Sequence, residues 1–253
     1  MGIAQSCGGA RAPFSANLRK EMSKGFSSAR LPAQVLGGIE SAFDEWLEMS
    51  GEWLKSAPEY LLTVKVAQRL KKVIPEGART LMMEPHVART LAEAGGVQRG
   101  PKATKLRAGG RYDIVLGHGN GLPRAIIELK NPLWDKGHIV NKDLDRICQS
   151  LLHRKANTQL YTGLFAFYTS SATPVTKDRS AKERLKRRWI IEWEPDLQSW
   201  SWAGANRSKY QKHLKVAVTA RIHERIVDGS KHAWAAVCVQ ITRRPRSALA
   251  GSV

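Results

Sequence analysis

The sequence predicts an α/β domain in which helices flank a mixed β-sheet. Two short apolar runs, residues 111–115 and 125–130, are predicted strands, and residues 118–123 between them have the Gly, Asn and Pro content typical of a turn. Elsewhere, apolar residues recur three and four positions apart, as on one face of a helix. The resulting order along the chain is helix, strand, strand, strand, helix, strand, which favours the α/β class.

The first half of the chain is predicted to contain two helices before the strands. Ile39 and Phe43 are spaced as on one helical face, and Pro58 is suited to the start of a second helix. The predicted elements are a helix that begins near Pro32, a helix over 59–73, a strand through 81–83 and Val87, and the two strands at 111–115 and 125–130.

The second half is predicted to continue the sheet and to add a further hairpin and helix. Trp189, Ile191 and Trp193 alternate at the period of a strand, which indicates a buried sheet face rather than a surface for base stacking. The predicted elements are a helix over 141–153, a buried strand over 160–168, a basic helical turn over 182–188, strands over 189–193 and 200–202, a helix over 209–226 and a last strand over 234–241.

With 253 residues, the chain is long enough for one well-formed core plus extensions. We predict a flexible basic arm over residues 1–30, a single domain over 31–245 and a tail over 246–253. Within the domain, the core covers about 55–170 and a carboxy-terminal extension covers 171–245. The sequence has no secretory signal and no apolar run of membrane-spanning length, so the expected location is the cytoplasm.

The net charge of +19, from 41 basic and 22 acidic residues, predicts a polyanionic partner. Nucleic acid, and DNA in particular, is the first candidate, and an anionic membrane surface is the second. The loop 95–110 combines basic residues with glycines, and the turn 182–188 is also basic. The candidate phosphate contacts are Arg99, Lys102, Lys105, Arg107, Arg111, His153, Arg187 and Arg188.

Three charged residues lie within the two apolar motif strands. Glu128 and Lys130 are two positions apart, so they share one face of their strand, and a hairpin allows Asp113 to reach that face. Two carboxylates beside one ammonium can hold a divalent cation and position an attacking water. The alternative is an ordinary exposed polar face, although charges within apolar strands are costly unless they are paired or bind a metal.

This pattern resembles the signature of the PD-(D/E)XK nuclease superfamily, in which an acid precedes a Glu-x-Lys strand. The local match, over residues 111–116, 120–123 and 127–132, resembles the nuclease domain of type I restriction-enzyme motor subunits. The resemblance covers about residues 55–170. It implies a restriction-endonuclease-like core, with a mixed central sheet flanked by helices and with the additional hairpin and helix elements at the carboxyl end.

The chain departs from the family pattern in three respects. Tyr112 stands where the superfamily name has proline, and a Gln-x-x-x-Tyr motif is represented by Gln149 and His153, with histidine in place of tyrosine. The chain has no Gly-x-x-x-x-Gly-Lys-Ser/Thr loop and is too short for a motor. It therefore resembles the nuclease module alone.

The resemblance implies specific roles for the site residues. Asp113 and Glu128 would bind Mg²⁺ or Mn²⁺, with the main-chain carbonyl of Leu129 as a further ligand. Lys130 would steer or deprotonate water, or stabilise developing charge; burial and neighbouring acids shift its pKa in opposite directions. Glu59 matches the acid that family members place on the first core helix, although an acid there also favours the helix dipole. The further candidates are Gln149, as a catalytic residue, and Glu84, as a weaker rival to Glu59.

The expected function is metal-dependent hydrolysis of phosphodiester bonds, with DNA as the first substrate, in restriction, phage defence or the processing of phage or mobile-element DNA. The alternative is a nuclease-fold protein that binds nucleic acid with weak or no catalysis and acts within a larger assembly. In either case, the expected partners include a second copy of the chain or a larger assembly. The choice between DNA and RNA, strand state, sequence preference and mode of cleavage are left open. Binding to a membrane or an acidic partner by charge alone would leave the motif unexplained.

Overall fold

The computed structural model describes residues 28–74, 80–95, 109–153, 159–171, 180–227 and 230–245. Within these ranges, six strands form one sheet in the order β1-β2-β3-β4-β6-β5. The predicted amino-terminal arm, up to residue 27, and the tail from residue 246 lie outside the described residues. The strands are β1 (Leu81–Met83), β2 (Ile114–Gly117), β3 (Pro123–Lys130), β4 (Thr162–Ser171), β5 (Leu214–Val227) and β6 (Ser230–Arg243).

The sheet is mixed, as predicted. β1, β2 and β3 pair antiparallel, β3 and β4 pair parallel, and β4, β6 and β5 again pair antiparallel. The parallel pair requires a crossover, which a helix between β3 and β4 supplies. The β5–β6 hairpin joins the same sheet through β4, so the predicted core and carboxy-terminal extension share one continuous sheet.

Helices cover both faces of this sheet. The first two helices, Leu31–Ser50 and Glu59–Val73, bury apolar side chains against Ile114, Ile127 and Leu129. The later helices pack on the opposite face, which carries Val115 and Ile126. No helix of the described ranges is both long and apolar enough to span a membrane. The helices are α1 (Leu31–Ser50), α2 (Glu59–Val73), α3 (Val87–Glu93), α4 (His138–Leu152), α5 (Ala181–Lys186), α6 (Trp193–Ser199) and α7 (Arg207–His213).

The long periodic elements match their predictions. The first helix begins beside Pro32, the second runs from Glu59 to Val73, and the helix and strand that follow the motif have nearly the predicted bounds. The 118–123 turn also forms, with the amide of Gly121 donating to the carbonyl of His118 at 2.9 Å. Gly121 adopts φ 80°, a left-handed conformation that glycine tolerates without strain.

Four predicted elements are wrong. Val87 begins a helix rather than continuing β1, and the 189–193 and 200–202 segments are helical, not strands. Ser180 caps α5 in a capping box with Glu183, and the chain then continues as a π-helix over Arg187–Ile191. Most of the helix predicted over 209–226 is the strand β5, whose partly buried residues alternate with exposed ones. The tryptophans are buried as predicted, but against the sheet rather than within it.

Two adjacent glycines of α1 provide a matched test of how closely α1 and α2 pack. A Cβ at Gly38 would lie 2.5 Å from the Cα of Val66, whereas one at Gly37 would lie 3.3 Å from the flexible Arg69 side chain. Gly38→Ala is expected to lower the free energy of unfolding by about 1–3 kcal/mol through overpacking. Gly37→Ala is expected to leave it unchanged or to raise it by about 0.5–1 kcal/mol, because alanine favours helix. Urea titration of both variants measures the difference, and equal effects would contradict this packing.

Candidate active site

The hairpin brings Asp113 beside Glu128. Ile114 pairs with Ile127 in the antiparallel β2–β3 ladder. Asp113 precedes Ile114 and Glu128 follows Ile127, so the two acids lie opposite each other at this end of the ladder. The Oδ2 atom of Asp113 accepts a hydrogen bond from the main-chain amide of Leu129 at 2.6 Å. This contact fixes the Asp113 carboxylate at the strand end, on the side on which Glu128 lies.

Glu128 is buried and only partly satisfied. It is 1% exposed, and its Oε2 atom lies 2.5 Å from the guanidinium of Arg146 on α4. Asp143, one turn earlier on α4, is 3.5 Å from the same guanidinium. The other carboxylate oxygen, Oε1, is buried without a hydrogen-bond partner. An unpaired buried carboxylate oxygen is costly, which makes this atom the clearest candidate for an additional ligand.

A second ion pair closes the end of β3. The ammonium of Lys130 lies 3.1 Å from Oε1 of Glu59, and the amide of Asn131 donates to Oε2 of Glu59 at 3.2 Å. The Asn131 side chain donates to the carbonyls of Leu54 and Ala57 at 2.7 and 3.0 Å, which ties the segment before α2 to the end of β3. Glu59, which the sequence placed near the metal, therefore contacts Lys130.

Burial raises the pKa values of both motif acids, and repulsion by a neighbouring carboxylate adds to it, from Glu59 for Asp113 and from Asp113 for Glu128. For Asp113, burial is the largest cause, opposed by the hydrogen bond from Leu129 and by the charge of Lys130. For Glu128, burial again dominates and raises the pKa well above its usual range; Arg146 opposes it, and Asp113 adds to it. Without a bound cation, the two carboxylates thus hold their negative charges at a cost in free energy.

Burial and neighbouring acids have opposite effects on the pKa of Lys130, and the net effect is an increase. Burial lowers its pKa, but the nearby acids, Glu59 first and then Asp143 and Asp113, outweigh burial and raise it. Lys130 is therefore held as an ammonium. This favours charge stabilisation over proton abstraction among the roles that the sequence left open for this residue.

Gln149 and His153 lie away from the two acids. Gln149 donates to Asp145 at 2.7 Å, and the same carboxylate accepts hydrogen bonds from Asn206 and Tyr210. His153 follows the last residue of α4, and its pKa is lowered by burial and by the charge of Lys209, which disfavours the cationic form that attracts phosphate. Neither residue has a described contact with Asp113 or Glu128.

The remaining predicted residues are placed as follows. The main chain of Leu129 joins Asp113 through its amide, and its side chain is in the core under α1 and α2. Arg111 donates to the carbonyl of Glu84 at 2.8 Å. Arg187 pairs with Glu192 at 2.6 Å, and Arg188 lies over the ring of Trp189. Arg99, Lys102, Lys105 and Arg107 lie outside the described residues.

Sequence reasoning missed Arg146 and Asp143, which the structure adds to the cluster. Both lie on the helix predicted over 141–153, in which only Gln149 and His153 are predicted site residues. A usable signal was present, since Asp143 and Arg146 adjoin the apolar stripe of Leu144 and Ile147. Charged residues at the margin of a buried stripe indicate partners on the opposing sheet.

The site suits a hard divalent cation held by few protein ligands. Within the described residues, no group of three or more His, Cys, Asp or Glu side chains converges as a preformed metal cluster. The orphaned Oε1 of Glu128, the adjacent Asp113 carboxylate and the raised pKa of each instead fit an ion such as Mg²⁺, which keeps several waters and takes one or two carboxylates.

Comparison of the chain with protein-family models, with curated proteins and with solved structures finds no match.

The raised pKa of Asp113 predicts how pH and substitution change the stability of the metal-free protein. Asp113→Asn is expected to raise the free energy of unfolding at pH 7, because it removes a repelling charge while the amide oxygen can still accept from Leu129. In the wild type, the folded state binds more protons than the unfolded state between about pH 4 and the raised pKa values. Stability should accordingly fall as pH rises through this window.

Denaturant titrations from pH 4 to pH 8 measure this effect, and the pH slope should be shallower in Asp113→Asn. Mn²⁺ should stabilise the wild type by mass action, by about 2.7 kcal/mol at a hundred times Kd, and stabilise the variant less. A variant that is less stable than the wild type at pH 7 without metal would contradict the account of the site.

Proposed function

We propose that the protein is a metal-dependent nuclease that hydrolyses phosphodiester bonds in nucleic acid. The carrying observation is the buried carboxylate of Glu128, whose Oε1 has no partner, beside Asp113 at the end of an apolar hairpin. The resemblance to the PD-(D/E)XK superfamily supports the same assignment. The observed mixed sheet flanked by helices is compatible with a restriction-endonuclease-like core.

In this proposal, Asp113 and Glu128 would hold a Mg²⁺ or Mn²⁺ ion, with the main-chain carbonyl of Leu129 as the further ligand that the resemblance implies. When bound, the ion supplies an activated water and offsets negative charge on the phosphate. Lys130, kept as an ammonium by Glu59 and the other acids, stabilises charge that develops on the phosphate oxygens. Glu59 and Asn131 are positioning residues, since they hold Lys130 and its strand end.

The overall charge supports nucleic acid as the substrate class. A net charge of +19 attracts polyanions from solution, and contacts with phosphates release counterions. DNA remains our first candidate, in restriction, phage defence or the processing of phage or mobile-element DNA.

One observation favours a second candidate, a nuclease-fold protein that binds nucleic acid without cleaving it. Arg146 already neutralises Glu128 through a buried ion pair, so this acid has a partner without any metal. A site that has lost catalysis could be stabilised in this way. The intact set of Asp113, Glu128 and Lys130 supports the enzyme, because a site without catalytic use tends to lose one of them.

The two candidates are separated by incubating purified protein with single-stranded, linear duplex and supercoiled DNA and with RNA. Each substrate is tested in Mg²⁺, in Mn²⁺ and in EDTA, beside Asp113→Ala as the matched inactive variant. The enzyme requires cleavage that appears with metal and disappears both in EDTA and in the variant. Binding of the same substrates without cleavage in either metal would contradict the nuclease function and support the nucleic-acid-binding function.

A further inference from the structure

Two exposed aromatic side chains lie close along the chain to Glu59 and Lys130, the ion pair at the end of β3. Tyr60, 55% exposed, directly follows Glu59, the partner of Lys130. Trp134, 45% exposed, is four residues beyond Lys130, an extended span of at most about 14 Å. Trp189 and Trp193, by contrast, are buried in the core. These two rings are therefore available to a ligand bound at the site.

Lysines accompany the two aromatic residues. Lys55 is exposed, and the carbonyl of its neighbour Leu54 accepts from Asn131 at the end of β3. Lys136 lies two residues beyond Trp134, and its only described ion pair is a long one, 3.9 Å from Asp196. Exposed aromatics interleaved with basic side chains are the pattern with which proteins bind unpaired nucleic acid, through base stacking and phosphate contacts.

A hollow that has Lys136 in its lining lies next to the segment 134–136. It has a volume of about 310 Å³, at the lower end of ligand pockets, and Trp193 and Trp202 are among its lining residues. Asn141, two residues before Asp143 on α4, adds an amide that can both donate and accept. The hollow is lined by Lys136, Asn141, Trp193, Asp196, Ser201 and Trp202.

The geometry points to an unpaired nucleic-acid strand as the substrate of this site, with bases stacked on Tyr60 and Trp134 and one base in the hollow lined by Asn141 and Trp202. This inference rests on the proposed nuclease function. In a duplex, the base faces are covered by neighbouring bases, so exposed aromatic rings can stack only on bases that are single-stranded, frayed or extruded. DNA and RNA single strands share this chemistry.

The first arm of the test measures binding in EDTA, so it does not depend on cleavage. Fluorescence anisotropy compares a labelled DNA strand, an RNA strand of the same sequence and the corresponding DNA duplex. The variants are Trp134→Ala, Tyr60→Ala and, as the matched control, Tyr161→Ala. Tyr161 is 54% exposed, but it precedes β4 at the end of the sheet opposite Lys130.

The single strand should bind more tightly than the duplex, and Trp134→Ala and Tyr60→Ala should each weaken that binding by about 5- to 150-fold. Tyr161→Ala should leave it unchanged. The DNA and RNA strands distinguish the natural source of the ligand by their relative affinities. The inference is overturned if the duplex binds more tightly, or if the two site variants behave like the Tyr161 control.

The second arm measures cleavage of the same substrates in Mn²⁺, with a duplex that contains an unpaired bubble added to the set. Cleavage confined to the single strand and the bubble supports the inference. Efficient cleavage of the fully paired duplex, unaffected by Trp134→Ala, would overturn the inference of a single-stranded substrate but would support the proposed nuclease function. Selective binding of the single strand without any cleavage would contradict the proposed nuclease function but would support the stacking surface for unpaired bases.

Discussion

Lys130→Ala is expected to lower the cleavage rate by about 10²–10³-fold, the usual cost of removing one preorganised group that stabilises transition-state charge. The acids around Lys130 raise its pKa, so it acts as a fixed positive charge beside the phosphate. Its loss removes no metal ligand, and calorimetry should show an affinity for Mn²⁺ that is unchanged or higher, because a repelling cation has gone. Single-turnover kinetics measures the loss of rate.

Lys130→Arg separates charge from proton transfer. The guanidinium keeps the positive charge and can still pair with Glu59, but it cannot act as a base. If Lys130 acts through its charge, Lys130→Arg should recover part of the activity that Lys130→Ala loses. The pH–rate profiles of the wild type and of Lys130→Arg should then have the same shape. An arginine variant as slow as the alanine variant would assign Lys130 to proton transfer instead.

Arg146→Ala is expected to destabilise the protein by about 3–5 kcal/mol, because it leaves Glu128 buried without its cationic partner. The guanidinium and the carboxylate have side-chain exposures of 9% and 2%, so water cannot replace the lost contact. Urea titration measures the loss. Arg187→Ala is the matched control: its ion pair with Glu192 has exposures of 50% and 47% and should contribute at most about 1 kcal/mol.

The stability lost in Arg146→Ala should return in part when Glu128 is also changed to Gln, since position 128 then no longer carries a buried carboxylate without its cationic partner. If Arg146→Ala costs no more than the Arg187 control, the buried pair does not stabilise the fold. If the double variant is as unstable as the single one, lost packing of the arginine stem explains the effect rather than charge.

The candidate site could be predicted from the sequence as far as local spacing reaches. The two-residue period of a strand places Glu128 and Lys130 on one face, and the turn at 118–123 brings Asp113 next to them. Glu59 is a candidate only through the resemblance, which implies an acid on the first core helix. The structure brings all four side chains to one end of the hairpin.

The position of Arg146 beside an apolar stripe indicates a partner on the sheet, but the identity of that partner depends on how α4 is rotated over the sheet. Gln149 has comparable spacing from the motif, yet α4 directs it to Asp145, and Arg146 faces Glu128. Three residues along a helix move a side chain by about 4.5 Å along the helix axis, so that Arg146 reaches Glu128 while Gln149 bonds within its own helix.

The errors in the second half of the chain have a similar origin. Trp189, Ile191 and Trp193 fit a strand pattern, but the capping box at Ser180 begins a helical segment whose packing buries both tryptophans. Short apolar runs do not distinguish a buried strand from a buried helix. The β5–β6 hairpin is stabilised by the pairing of β6 with β4. The secondary-structure propensities of single residues do not predict such a long-range contact.

The central claim is that Asp113 and Glu128 support metal-dependent hydrolysis, and the most direct measurement is single-turnover cleavage of a labelled strand in Mn²⁺ by wild type and Asp113→Ala. Binding of the same strand in EDTA is measured in parallel. The account predicts a rate that falls by at least about 10³-fold, as expected when metal catalysis worth several kcal/mol is lost. Binding should be equal or tighter, because a negative charge has been removed. Cleavage by Asp113→Ala at the wild-type rate would contradict the account.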